Sequence, residues 1–279
     1  MNSVLKQPIL VVVEGDKRKR TLTVQTYPNH RQQEIVTALR RAGGSLRVQA
    51  LARELDVTEE TVRRNLKKLA RNGIVEKVHG GARLSELEDE GDFRQRLAIN
   101  PAAKQVIAKQ VAALIANGSS LFLDVGSTTS YIADALRGHE NLLVVTNSVS
   151  VAYKLSMRNN NRVFMAGGEL RAHDGGAFNT HAMEFANNFK TDFAILSAVG
   201  INDADGFVLL DLDEAEFSRA IINNARTRII AADSSKFQRQ APITICDPSE
   251  IQILVTDSAP PPSLAKAVAQ WGVKTIVAS

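Results

Sequence analysis

From about residue 101 onward, short apolar runs alternate with stretches of helical period, and that alternation leaves few architectures open. Helices are expected at 102–117, 128–137, 148–157, 181–188, 213–226 and 263–270. Strands are expected at 120–125, 142–146, 162–166, 191–199, 228–233, 251–256 and 273–277. Strands that are apolar along their whole length are buried on both faces, and intervening helices supply the cover. The fold class expected is therefore α/β, with a doubly wound, mostly parallel sheet. In such sheets ligands sit past the carboxyl ends of the strands.

The front of the chain has a different pattern. Over 57–72 a helix would place Val62, Leu66 and Leu69 on one side. Arg63, Arg64, Lys67, Lys68 and Arg71 fall on the other, with Thr58 as N-cap and Glu59 and Glu60 in the first turn. A solvated surface helix usually mixes lysine with glutamate along such a face, whereas this one is nearly all cationic. Two helices precede it. One, about 31–42, has Ile35, Leu39 and Ala42 inward and stops at Gly43-Gly44; the other, about 48–55, buries Val48, Leu51, Ala52 and Leu55. Asp56-Val57 makes a tight turn, Gly73 closes the basic helix, and 74–78 and 81–84 read as short strands around His79-Gly80. Together they describe a winged helix-turn-helix over 31–84, which lays its second helix in a DNA groove.

Charge follows the same division. Residues 1–86 hold 17 Lys and Arg against 9 Asp and Glu, while 87–279 hold 17 against 21. A basic head on a mildly acidic body favours a polyanion partner for the head and another task for the body. Residues 1–30 are expected to be a poorly structured extension, with Lys17-Arg18-Lys19-Arg20 as an alternative phosphate-reaching arm. The polar stretch 85–100 reads as a linker, and 101–279 as a sensor and oligomerisation domain. A single cysteine, Cys246 in an apolar run, excludes a disulfide framework and any multi-cysteine metal site, and favours packing over nucleophilic chemistry. The run Ile9 to Val13 is too short for a signal or membrane segment, so a cytoplasmic protein is expected. No cofactor or metal is expected.

Within the first turns of the basic helix, Thr58, Glu59, Glu60, Thr61 and Arg64 are placed to reach base edges, with Arg63 or Arg64 forked onto a base. Lys67, Lys68 and Arg71 would clamp phosphates. His79 and Arg83 on the wing would touch backbone or minor groove; for His79 a turn role is an equal alternative. In the body, Asp124-Val125-Gly126-Ser127-Thr128-Thr129 ends an apolar strand and opens a helix. Free N–H groups, hydroxyls and the positive end of a helix dipole make a phosphate nest there, with Asp124 beside it; an ordinary glycine turn with a hydroxyl N-cap is the alternative. Asn147, Gly167 and Gly168 also lie past strand ends, and Lys236 is either a second phosphate or hydroxyl contact or a solvated loop lysine. The acidic group Asp211, Asp213, Glu214 and Glu216 is accounted for by the helix macrodipole alone.

Leu51 through Leu66, followed by His79-Gly80-Gly81-Ala82, resembles the DeoR-type winged helix-turn-helix. Asp124–Thr129, Thr146-Asn147, Gly167-Gly168-Glu169-Leu170 and Asp233-Ser234-Ser235-Lys236-Phe237 resemble that family's recurrent sensor blocks, which adds Glu169 to the effector residues. Asn65 stands where the family usually carries aspartate, a departure expected to bear on operator choice. Ala166–Arg171 with Asp174-Gly175-Gly176, then Arg219–Ile222, then Thr256-Asp257 with Pro260–Pro262 resemble the glycerol-3-phosphate regulon repressor subgroup. Asn179-Thr180-His181 and Ser197 stand where glycines are common. The resemblance implies a transcription regulator, a repressor of glycerol-3-phosphate or related sugar- or polyol-phosphate genes. Its partners would be double-stranded operator DNA, a phosphorylated effector such as glycerol 3-phosphate, and further copies of itself as a dimer or tetramer, with no membrane and no enzymatic activity. The family's sensor fold is similar to that of ribose-5-phosphate isomerases, so the alternative is an isomerase-like enzyme with a basic nucleic-acid-binding extension. Asp124 and Glu169 are its candidate bases, with no second acid expected beside either. An architectural DNA protein without a small-molecule response is a third possibility.

Overall fold

The structure, a computed structural model, describes residues 30–42, 45–71, 74–78, 80–84 and 93–279. The expected extension before His30, the Gly43-Gly44 stop, Gly73, His79 and the first part of the expected linker lie outside the described residues.

The front unit comprises α1 (His30–Arg41), β1 (Ser45–Arg47), α2 (Val48–Glu54), α3 (Glu59–Arg71), β2 (Val75–Val78) and β3 (Gly81–Leu84). Thr58 caps α3: its Oγ1 accepts the Thr61 N–H at 3.2 Å. Asp56, with φ of 49°, turns the chain between α2 and α3. Ile35, Leu39, Leu51, Val62, Leu66 and Leu69 close a core of their own, as their spacing requires. Ala42 is exposed rather than inward, because α1 ends one residue before it. β1 was not expected; it joins the wing as a three-stranded antiparallel sheet in the order β1-β3-β2. A Cβ on Gly81 would stand 2.3 Å from the Leu46 carbonyl oxygen, so the close approach of β1 to β3 demands glycine there.

The body begins earlier than composition implies. α4 (Phe93–Ala98) lies within the stretch read as linker, its apolar residues too few to show a helical period. There follow α5 (Pro101–Ala112), β4 (Ser120–Leu123), α6 (Ser127–Ala135), β5 (Leu143–Thr146), α7 (Val149–Leu155), β6 (Arg162–Met165), α8 (Thr180–Ala186) and β7 (Thr191–Leu196). Then come β8 (Gly200–Asn202), β9 (Gly206–Leu209), α9 (Leu212–Ile222), β10 (Ala225–Ala231), β11 (Ile243–Thr244), β12 (Ile253–Thr256), α10 (Pro262–Gln270) and β13 (Lys274–Val277). Seven strands form one wholly parallel sheet, ordered β13-β12-β10-β7-β4-β5-β6. The fold class is as expected. Alternate residues of β4 feed two separate cores: Phe122 packs into one face, Leu121 and Leu123 into the other. The strand order reverses between β4 and β7, which opens a crevice at their carboxyl ends.

Two differences from expectation have local causes. α9 stops at Ile222 and β10 starts at Ala225, so the strand begins inside the helix expected at 213–226. A second, antiparallel sheet of β11, β9 and β8 was missed, since its strands of two to four residues are too short to carry a period. Cys246 is half-buried against the core, and burial pushes its thiol up to about 12, in keeping with a packing role. Among the described residues no helix is long and apolar enough to cross a membrane.

Candidate nucleic-acid interface and anion site

On α3 the buried and exposed positions separate cleanly. Val62, Leu66 and Leu69 are buried, whereas Arg63, Arg64, Lys67, Lys68 and Arg71 are exposed. Arg63 is paired with Glu59, one turn earlier, at 2.5 Å. Arg64, Lys67, Lys68 and Arg71 have no acidic partner among the described residues. Thr58 and Glu60 are exposed at the start of the helix, with Glu59 and Thr61 half-buried beside them. Arg83 on the wing pairs across the strands with Glu76 at 2.7 Å. Asn65 is 5 % exposed and its Nδ2 donates to the Thr61 carbonyl at 2.9 Å. It points into the unit, so the departure at this position falls off the cationic face.

The second candidate site lies where β4 meets β7. Past Leu123 the chain turns through Asp124, Val125 and Gly126 into α6, whose first residues are Ser127, Thr128 and Thr129. The first N–H groups of a helix have no intrahelical acceptor, so those of Ser127 and Thr128 face the crevice end of α6. Ser127 is 7 % and Thr128 5 % exposed, and their hydroxyls make no hydrogen bond among the described residues. Thr129 differs: its hydroxyl donates back to the Gly126 carbonyl at 3.0 Å, which closes the first turn. A Cβ on Gly126 would come within 2.5 Å of Ser197 Oγ, at the end of β7. Glycine is thus fixed by the contact between the two central strands, and Ser197 is the residue that fixes it.

Asn147, fully buried, braces this turn: its Oδ1 accepts the Val125 N–H at 3.1 Å and its Nδ2 donates to the Ala177 carbonyl at 3.2 Å. Both ends of its side chain are occupied. Gly168, with φ of +133°, lies against Asn179, whose own Oδ1 caps α8 by accepting from Ala182. Glu169 is exposed on the following residue. Lys236 is half-buried on a short turn, Ser234–Lys236, capped by Asp233.

Asp124 has surroundings that local pattern did not reveal. It is 2 % exposed, and burial raises its carboxyl from 3.8 to about 7, against the Val125 N–H, the Arg171 charge and the Ser218 hydroxyl, which lower it. One acid does act on it, contrary to expectation: Asp174 raises the Asp124 carboxyl further. Arg171 gathers this acid and two more. Its guanidinium meets Asp174 at 2.6 Å, Asp211 at 3.4 Å and Glu214 at 3.5 Å, and lies 3.7 Å over the Phe178 ring. Burial disfavours its charge, but the carboxylates of Glu214, Asp174 and Asp211 outweigh that and hold it cationic. Asp211 and Glu214, which the helix dipole alone was expected to explain, also tie the loop after β6 to α9; Asp211 caps α9 as well. Among the described residues no group of acidic, histidine or cysteine side chains is arranged to hold a metal ion.

The sequence is similar to known proteins over both units. The model of the DeoR-like helix-turn-helix domain matches residues 31–88, and that of the DeoR C terminal sensor domain matches 99–258. The glycerol-3-phosphate regulon repressor of Escherichia coli (strain K12) is 37 % identical over 226 residues, 81 % of this chain and 89 % of that protein. The repressor of the same name from Haemophilus influenzae is 38 % identical over 82 % of this chain and 89 % of its own. Among solved structures, ribose 5-phosphate isomerase A of Methanocaldococcus jannaschii aligns with a TM-score of 0.37 at 16 % identity, over 50 % of this chain and 56 % of that one.

Proposed function

The chain belongs to the DeoR family, and on that premise we propose that it is a transcriptional repressor whose grip on operator DNA is set by a small phosphate ester. Glycerol 3-phosphate or a close relative is the effector this reading favours, in line with the names of the similar repressors. Arg64, Lys67, Lys68 and Arg71 neutralise DNA phosphates, while Arg63 or Arg64, with Thr58, Glu60 and Thr61 around them, reads base edges. Arg83 and His79 act from the wing. In the body, the phosphate sits on the N–H groups and hydroxyls of Ser127 and Thr128, with Gly126 and Thr129 shaping the turn. Asp124, Asn147, Gly167, Gly168, Glu169 and Lys236 surround the ester's remaining atoms. Copies of the chain pair through the body and present their heads to a two-fold or repeated operator. The protein acts in the cytoplasm, without an enzymatic step.

One observation carries this reading: a single chain holds four unpaired cations on a capped helix and, apart from them, two unengaged hydroxyls at a helix start in a sheet crevice. The isomerase alternative is not favoured, because Asp174, the acid that acts on Asp124, is engaged by Arg171 rather than placed as a free base. The test is a mobility shift with duplex from the gene's own promoter and a panel of phosphorylated polyols and sugars. Release by glycerol 3-phosphate, but not by glycerol, supports the proposal; indifference to every phosphate ester rejects it. Conversion of ribose 5-phosphate to ribulose 5-phosphate would restore the alternative.

A further inference from the structure

Three of the segments that carry proposed effector contacts bond to α4 or to Asn100 just after it. This helix follows the DNA-binding unit by eight residues, 85–92, and none of its own residues is fully buried. Directed bonds hold it instead. At its start the Phe93 N–H donates to the His173 carbonyl at 3.3 Å, in the loop that also carries Gly167, Gly168, Glu169 and Arg171. Near its end the Leu97 carbonyl accepts from the Tyr131 hydroxyl at 2.9 Å, and Tyr131 lies about one turn along α6 from Ser127. Just beyond, Asn100 takes the left-handed conformation, with φ of 49°, and its Nδ2 donates to Asp233 Oδ1 at 3.1 Å. Asp233 is the cap of the turn that bears Lys236. From α5, the buried Lys104 ammonium closes the C-terminal end of α4 on the Arg96 and Ile99 carbonyls, at 2.5 and 2.7 Å.

A six-residue helix has no stability of its own, so its position is dictated by its partners. We propose that α4 is the output element of the sensor. A phosphate ester on α6 is felt by α4 through Tyr131, His173 and Asn100, and α4 transmits the change along the chain to the DNA-binding unit. This rests on the reading that the ester binds at the start of α6. Ligand control of this kind is a coupling between two sites, and it requires the ester to favour one position of α4 over another. Tyr131 and Asn100 are therefore positioning residues, and losing either bond should weaken the coupling while each site keeps its own contacts.

The experiment uses the intact chain, duplex from its own promoter, and glycerol 3-phosphate, with glycerol and inorganic phosphate as controls. Calorimetry on the protein alone gives the ester affinity; a mobility shift with and without ester gives the factor by which the ester weakens operator binding. Regulatory coupling commonly spans about 5- to 150-fold, so Tyr131→Phe combined with Asn100→Ala is expected to lower that factor at least about fivefold while keeping the ester affinity. A second measurement needs no variant: in the wild type, amide hydrogen exchange over 93–98 should change on adding the ester. An unchanged factor in the double variant, or unchanged exchange over 93–98, overturns the assignment of α4. Absence of ester binding in the wild type would instead remove the effector reading, and the role of α4 with it.

Discussion

On α3, four basic side chains stand exposed without an acidic partner among the described residues, whereas in the loop after β6 one half-buried arginine is shared among three carboxylates. The two regions use charge in opposite ways. Exposed, uncompensated cations cost little in water and gain their energy only when a polyanion releases its counterions. A charge largely withdrawn from water has no such freedom, and the half-buried Arg171 is stabilised by Asp174, Asp211, Glu214 and the Phe178 ring, which replace much of its water. The head therefore offers charge to a partner, while the body offers the polar groups of a helix start, with its strong charges already neutralised from within.

The contrast breaks most readily on α3. Replacing Arg64, Lys67, Lys68 and Arg71 together by alanine should weaken operator binding by about three orders of magnitude and flatten its salt dependence by about three to four in log–log slope. The ester affinity of the body should stay as it was. Fluorescence anisotropy at several salt concentrations checks both, and an unchanged slope would mean that these cations do not face phosphate.

Next in size is the buried carboxyl. Asp124 keeps its proton to about pH 7 in the folded chain but ionises near 3.8 when unfolded. Between those values the folded protein binds the extra proton, so stability falls as pH rises through the window and is flat above it. The difference is on the order of a few kcal/mol, and Asp124→Asn should remove it. Denaturant unfolding at pH 5 and pH 8 measures the change; a variant with the wild-type pH slope would contradict it.

Smaller effects sharpen the comparison. Gly126→Ala drives a methyl against Ser197 Oγ, and loss of a charge-assisted bond to phosphate should lower ester affinity roughly 10- to 100-fold. Adding Ser197→Gly should recover most of it by calorimetry; no recovery would show that the clash is not the cause. At the small end, Glu59→Gln releases Arg63 from an exposed pair that is worth only about 0.3–0.5 kcal/mol. Thermal unfolding should barely move, while operator affinity rises a few fold. A fall would give Glu59 a contact of its own.

The same contrast explains what could be read from the sequence. The cap at Thr58, the core positions Val62, Leu66 and Leu69, and the cationic face are all set within one helix, so spacing alone located them. The parallel strands were legible because burial on both faces makes Leu121, Phe122 and Leu123 uniformly apolar. The cluster around Arg171 was not, since residues 171, 174, 211 and 214 meet only after the chain has crossed from one half of the sheet to the other. The burial of Asn65 was not legible either, because a small polar residue gives no sign that its amide turns back on Thr61. The position of Ser127 and Thr128 at the start of α6 was legible because a strand end, a glycine and a helix start are adjacent in sequence.

The most direct measurement of the division between head and body is the double variant Ser127→Ala/Thr128→Ala, titrated onto promoter duplex with and without glycerol 3-phosphate. It should bind the duplex as tightly as the wild type and no longer let go when the ester is added. Normal release by the ester would place the effector somewhere other than the start of α6, and a collapse of DNA binding in its absence would show that head and body do not work apart.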